Sequence, residues 1–564
     1  MKFQDFVYER IDFPEVEEKF NGLLARFAAA PSFHVQDEIM KEINALRSEV
    51  ESMAEIVQIR HSVDTNDEFY KAEQDFVDET DPHYQGLITK YYEALVNSPF
   101  RSELEAKWGK QLFTIAEFSL RKFSPEIVED LVQENKLSSE YSKLLASAKI
   151  PWDGQELNLQ SIIPYTQSTD REIRRKASEA RYGFLEEIEP QLDEIYDQLV
   201  KIRTRIAHKL GFSNFVELGY VRMNRSDYDA AKVAVFRKQV QDHIVPVATK
   251  LKQRQQERIG VDRLRYYDDD FGFPSGNAVP KGDPDWIVEQ GARMYAELSP
   301  ETNEFYQFMV DNNLLDLVTK KGKQGGGYCT YISKYRAPFI FSNFNGTSGD
   351  IDVLTHEAGH AFQVYSSRDY QVPEYAFPTY EACEIHSMSM EFIAWPWMEL
   401  FFQEETDKYK FIHLSSSLLF IPYGVAVDEF QHRVYENPEM TPAERKQVWR
   451  EIERKYLPHR DYSDMPYLER GTFWQKQAHI FRSPFYYIDY TLAQICAFQF
   501  WKRSNENAEQ AWQDYLRLCR KGGSLSFTEL VEIAGLISPF EEGSISSVIG
   551  SIEEWLNGVD DKNL

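Results

Sequence analysis

The sequence predicts a mainly α-helical protein with one small β-sheet, and three observations carry that expectation. Residues 15–59 and 83–148 repeat apolar side chains at three- and four-residue intervals, the spacing that lines one face of a helix. Thr169-Asp170-Arg171-Glu172 has the form of a capping box and opens an amphipathic stretch through Leu210, where Gly211 offers a stop. Strand-like runs are few, the clearest being Tyr328 to Ile332 and Phe339 to Asn345.

Taken in order, the first 150 residues read as long helices. Pro151-Trp152-Asp153-Gly154, followed by Leu157, Leu159 and Ile162, reads as a short hairpin because Asp-Gly favours a two-residue turn. A further helix is expected over Asp229 to Ile259, then an acidic, Gly- and Pro-rich loop between Tyr266 and Asp285. Gly325-Gly326-Gly327 is a second break. It lacks the GK[ST] ending of a phosphate loop and precedes a strand, so it reads as a substrate-facing loop or a plain connector. Helices resume at about Asp350, and no internal repeat or low-complexity tract is present.

Lys and Arg number 63 against 91 Asp and Glu, a net charge of −28 that opposes phosphate backbones and anionic lipid. A hydrophobic fraction of 42% and an aromatic fraction of 14% exclude a disordered chain. The most apolar stretch, Leu414 to Val427, holds serines and a proline and ends at Asp428, so no membrane span is expected. Met1-Lys2-Phe3-Gln4-Asp5 lacks the basic-then-apolar pattern of a secretory signal, and Cys329, Cys383, Cys496 and Cys519 show no CxxC pairing. A cytoplasmic protein is expected.

His356-Glu357-Ala358-Gly359-His360 is an HExxH sequence. Residues four apart share a helix face, so two imidazoles can aim at one zinc ion while the glutamate polarises a water. Ile351, Leu354, Ala358, Ala361, Phe362 and Tyr365 form one stripe, with the two histidines about 160° from its centre. Gly359, unfavourable inside a helix, implies close approach of another backbone. Gln363 and Ser366 stand where a metzincin would have its glycine and third histidine, which removes that subclass. A third ligand can instead come from the apolar segment Pro378 to Trp397, where Glu381, Glu384 and Glu391 lie within about 80° of one face. Three carboxylates there would repel one another without a cation. His386 is a rival ligand, but it points about 200° around the helix from Glu384.

Three segments carry a resemblance: Asn343-Phe344-Asn345-Gly346-Thr347, Asp352 to His360, and Glu384-Ile385-His386-Ser387-Met388-Ser389-Met390-Glu391. Together with Asp428-Glu429-Phe430-Gln431 and His479 to Tyr490, they resemble the thimet oligopeptidase and oligoendopeptidase F family of zinc metallopeptidases, and most of all its bacterial Pz-peptidase branch. The likeness is good from about residue 165 onward and weak before it. It implies His356, His360 and Glu384 as the zinc ligands, one zinc per chain, and Glu357 as general base. Glu384 is favoured over Glu381 because it alone stands seven residues before a second glutamate, as in the family's pattern. Asp352 and Glu391 are placed to orient the ligands as hydrogen-bond acceptors. Tyr487 and Tyr490 match the family's paired tyrosines, and His479 matches the histidine before them; such donors suit an oxyanion.

The resemblance further implies two helical lobes flanking a deep substrate channel, with the small sheet beside the HExxH helix. Residues 1–190 would form an N-terminal helical region and 191–564 the catalytic region. The expected function is zinc-dependent hydrolysis of internal bonds in short peptides, without nucleic acid, membrane or obligatory protein partner. The alternatives are an open-cleft zinc protease acting on larger unfolded proteins and a non-catalytic helical binding protein. The strand from Phe339 is expected to present an edge to a bound peptide.

Overall fold

Helix ends along the chain are set by proline and by side-chain caps, and the long periodic stretches divide accordingly. The computed structural model describes residues 1–564 except 160, 161, 321, 322 and 325. Gly325 of the glycine run therefore lies outside the described residues. The first stretch separates at Pro31 into Phe13–Ala28 and Phe33–Val63, and the second into Glu68–Val96, Arg101–Trp108, Lys110–Arg121 and Val128–Ala146. The helix expected from the Thr169 capping box is instead capped by Asp170, whose side chain accepts from the backbone of Glu172 at 2.8 Å. It breaks at Ile188, ahead of Pro190, into Arg171–Glu187 and Glu189–Lys209. Pro190 removes one helical N–H and ends the first helix.

The chain folds as two compact units, each discontinuous in sequence. Unit 1 comprises Met1–Arg121, Val279–Thr406 and Cys496–Ile537; unit 2 comprises Lys122–Ala278, Asp407–Ile495 and Ser538–Leu564. The division expected near residue 190 falls inside the helix Glu189–Lys209.

In unit 1 the N-terminal helices pack around Phe20, Met40, Ile43, Tyr91, Leu112 and Phe113, all buried. A three-stranded sheet has the order Leu315–Val318, Ala337–Phe344, Tyr328–Ile332. The central strand pairs in parallel with the first and antiparallel with the last, Ile340 standing opposite both Leu315 and Cys329. Ala337–Phe344 is thus paired on both sides, and the edges belong instead to Leu315–Val318 and Tyr328–Ile332. Leu315-Asp316-Leu317-Val318 alternates over only its first three residues, too short a run to mark a strand in the sequence.

In unit 2 Asp153 and Gly154 hold φ of 45° and 75° between Ile150–Trp152 and Gln155–Leu157, the mirror-image turn that Asp-Gly favours. The helix from Asp229 runs as Ala230–Gln239 and Val245–Arg258 with a π segment, Val240–Ile244, between them and Pro246 just after it. Within Glu399–Glu436 an 18-residue window reaches mean hydropathy 1.3, long and apolar enough to cross a membrane, yet 67% of it is buried. A buried core helix has the same length and composition, and its apolar residues are mostly packed inside the protein.

Candidate metal and catalytic site

Two helices of unit 1, Gly349–Ser367 and Tyr380–Ile393, build the site. Ile351, Leu354, Ala358, Ala361 and Phe362 are all buried, as the helical stripe requires. Gly359 sits at the crossing: a Cβ there would lie 2.6 Å from the backbone O of His386 and 2.7 Å from the Cα of Ser387. Only glycine admits the second helix this closely, and that approach carries Glu384 to the histidines.

Glu384 Oε2 lies 3.3 Å from His356 Nε2 and 3.5 Å from His360 Nε2. One donor atom from each of these residues falls within 4.8 Å of the others, an arrangement that can hold a metal ion. The two imidazole rings stand 5.0 Å apart and nearly perpendicular. Side-chain exposure is 23% for His356 and 13% for His360, against 6% for Glu384, so the histidine side of the site remains reachable. Burial opposes the imidazolium at His356, but Glu384 and Glu391 outweigh it and hold its pKa well above the ordinary value. Burial likewise works against the Glu384 carboxylate, which His356 and His360 nevertheless hold well below the usual range. Such coupling marks a site that asks for positive charge.

Glu391 Oε1 lies 2.7 Å from His356 Nδ1, fixing the ring so that Nε2 faces Glu384. Ser387, not singled out from the sequence, donates from Oγ to Glu384 Oε2 at 2.9 Å; its place three residues after Glu384 was the available signal. Asp352 is half-buried one turn before His356. Glu381 is buried in the first turn of its helix, outside the donor group. His386 is fully buried, and burial, with His360 adding to it, pushes its pKa down to about 3. It takes no part in the donor group.

Glu357 is buried, its pKa raised by burial against the pull of the histidines, and its Oε2 has no hydrogen-bond partner. A buried carboxylate oxygen left without a partner is costly unless something absent from the protein alone meets it. Gly327, from the glycine break, borders this carboxylate: a Cβ there would be 3.5 Å from Glu357 Oε1.

His479, Tyr487 and Tyr490 belong to unit 2. The imidazole lies 4.9 Å from the Tyr487 ring and 5.8 Å from that of Tyr490, and the two phenols are 5.7 Å apart. Phe485, just before them, adopts a left-handed φ of 68°. It is held by Gln431 Oε1, which accepts its N–H at 2.9 Å, and by Arg225, which donates to its carbonyl at 2.5 Å and to Asp489 at 2.6 Å. Gln477, also unread in the sequence, donates to His479 Nδ1 at 2.8 Å and accepts from the Tyr423 hydroxyl at 2.9 Å. That pairing leaves the imidazole proton on Nε2.

The peptidase M3 N-terminal domain matches residues 3–123, and peptidase family M3 matches 164–273 and 295–548. A solved structure of Pz peptidase A with an inhibitor is 64% identical, with TM-score 0.95 over 100% of both chains. One named as an oligoendopeptidase F from Bacillus anthracis str. Ames is 60% identical, with TM-score 0.91 over 100% of this chain and 99% of that one. An oligoendopeptidase F homolog of Borreliella burgdorferi is 28% identical over 250 residues, 41% of this chain and only 40% of that relative's length. Since the family's models cover most of the sequence on both sides of the HExxH helix, the chain belongs to peptidase family M3 and is a peptidase.

Proposed function

We propose that this peptidase is a zinc-dependent endopeptidase hydrolysing internal bonds of short peptides. The observation that carries the reading is the convergence of His356, His360 and Glu384 donors within 4.8 Å, beside a buried Glu357 oxygen with no partner of its own. Two imidazoles and one carboxylate suit zinc with an open coordination position, and the crossing at Gly359 makes the set rigid.

His356, His360 and Glu384 would hold the ion, which when bound supplies a Lewis acid for the scissile carbonyl and for water. Glu391 keeps His356 in the tautomer that offers Nε2. Glu357 takes the proton of the attacking water and passes it to the leaving amine. His479 Nε2–H and the hydroxyls of Tyr487 and Tyr490 donate to the oxyanion that develops on the substrate carbonyl. The reading includes a preference for short, extended peptides over folded proteins. The names of the Pz-peptidase and oligoendopeptidase F relatives support it. It needs no obligatory protein partner, and a net charge of −28 weighs against nucleic acid and membrane; free cysteines support a cytoplasmic location.

Purified protein is expected to contain about one zinc per chain and to lose peptide hydrolysis on chelation. Activity in demonstrably metal-free protein would refute the mechanism. Nested peptides sharing one scissile sequence, from a few residues to several tens, should lose kcat/KM as length grows. Equal efficiency up to an unfolded protein would favour the open-cleft protease.

A further inference from the structure

Unit 2 contains a cavity of about 260 Å³ next to the His479 cluster, with Gln477 in its wall. Lys476, also in the wall, is half-buried and lies against apolar and aromatic surface. Its Nζ stands 3.8 Å from the centre of the Phe473 ring and donates a long hydrogen bond, 3.5 Å, to the Tyr182 hydroxyl. Among the described residues no carboxylate lies within ion-pair distance of it. Three aspartates share the wall with Lys476, two of them paired with other cations and one exposed. Asp269 pairs with Lys252 at 2.7 Å, and Asp461 with Arg263 at 2.5 Å and Arg265 at 3.0 Å. Asp270 is exposed and acts on Lys476 only at a distance.

The wall holds further buried polar groups. His459 Nδ1 and the Tyr266 hydroxyl are buried without a hydrogen-bond partner, whereas Arg460 Nε stands 3.8 Å from Asp269. Burial, reinforced by Arg181 and Arg460 and opposed by Asp270 and Asp269, pushes the Lys476 pKa down to about 7. A desolvated ammonium facing a cavity, without a counter-ion, is stabilised when an anionic group enters and pairs with it.

We propose that this cavity is a carboxylate-binding subsite for peptide substrates, with Lys476 as its specificity-determining residue. The proposal rests on the reading that His479 and the neighbouring tyrosines meet the peptide. Gln477 supplies the continuity: it lines the cavity and hydrogen-bonds the His479 ring. The carboxylate is either the peptide's C-terminus or an acidic side chain near it; the chemistry of recognition is the same.

The test uses zinc-loaded full-length protein, its Lys476→Met and Lys476→Arg variants, and two peptide pairs sharing one scissile sequence. One pair differs as C-terminal acid against amide; the other, amidated, as a Glu against a Gln beyond the scissile bond. Kd by calorimetry and KM by hydrolysis are read as ratios within each pair, so a general loss of folding or activity cancels. The wild type should prefer one carboxylate form by about tenfold or more, Lys476→Met should bring that ratio to near one, and Lys476→Arg should largely restore it. The pair that responds identifies the source of the carboxylate. A wild type without preference in either pair, or a Lys476→Met ratio equal to the wild type's, would overturn the proposal. Calorimetry reads the subsite even if no peptide is cleaved, so failure of the catalytic reading is told apart from failure of this one.

Discussion

The donor group of unit 1 and the His479–Tyr490 segment of unit 2 are assembled by different means. The first is two regular helices, with spacing inside each helix doing most of the positioning and one glycine setting their approach. The second depends on an irregular turn at Phe485, held in a left-handed conformation by Gln431 and Arg225 from far along the chain. Helical geometry fixes donor atoms with few supporting contacts; a turn needs several long-range ones to reach the same definition. Perturbing the donors or the helix crossing of the first region should therefore act on the metal, and perturbing the second on turnover; Glu357, on the same helix but outside the donor set, should act on turnover alone.

The largest expected effect is Glu357→Gln, which keeps the shape of the side chain but cannot take a proton. Hydrolysis should fall by about 10²- to 10⁴-fold while zinc content and peptide Kd are retained. Near-normal turnover by a zinc-loaded variant would move the base role elsewhere. Tyr487→Phe and Tyr490→Phe should lower kcat by up to about 10²-fold with little change in KM and none in zinc content. An effect confined to KM in both would make them binding residues only and blur the contrast.

Glu391→Gln should weaken zinc affinity by about 10- to 100-fold, measured by competition with a chromogenic chelator, because His356 loses its orienting carboxylate. Unchanged affinity would remove Glu391 from the metal-holding set. Gly359→Ala drives a Cβ into the backbone of the second helix and should destabilise unit 1 by about 1–3 kcal/mol, with loss of zinc, in chemical unfolding. The smallest effect is one of proton count. Against the opposing effect of burial, the carboxylates of Glu384 and Glu391 raise the pKa of His356 in metal-free protein and so favour its imidazolium. Zinc must displace that proton, so apparent affinity should rise with pH, and about one proton should be released per zinc near pH 7, read by calorimetry in buffers of different ionisation enthalpy. In metal-free protein the same pairing contributes stability that is full below the ordinary histidine pKa and lost as pH rises through the raised value.

Much of the unit 1 site was legible because its information is local. His356 and His360 share a face by spacing alone, and Gly359 announced the backbone contact that the structure contains. The resemblance selected Glu384 among three glutamates, and the donor geometry accords with that choice. Helix ends were less legible, since Pro31 and Pro190 interrupt periodic patterns that continue on both sides.

By itself the sequence determined the helical character of the chain, the faces of its two site helices and the residue types that could bind a metal, because each follows from a period of 3.6 residues and from side-chain chemistry. Only the tertiary structure decided that Glu391 meets His356 Nδ1 and that Leu315–Val318 and Tyr328–Ile332, rather than Ala337–Phe344, form the sheet's edges. It alone held Phe485 in the turn before the tyrosines and left Lys476 facing a cavity with no carboxylate at ion-pair distance among the described residues. These features depend on partners tens to hundreds of residues apart in the chain, and no local period encodes which distant groups will meet.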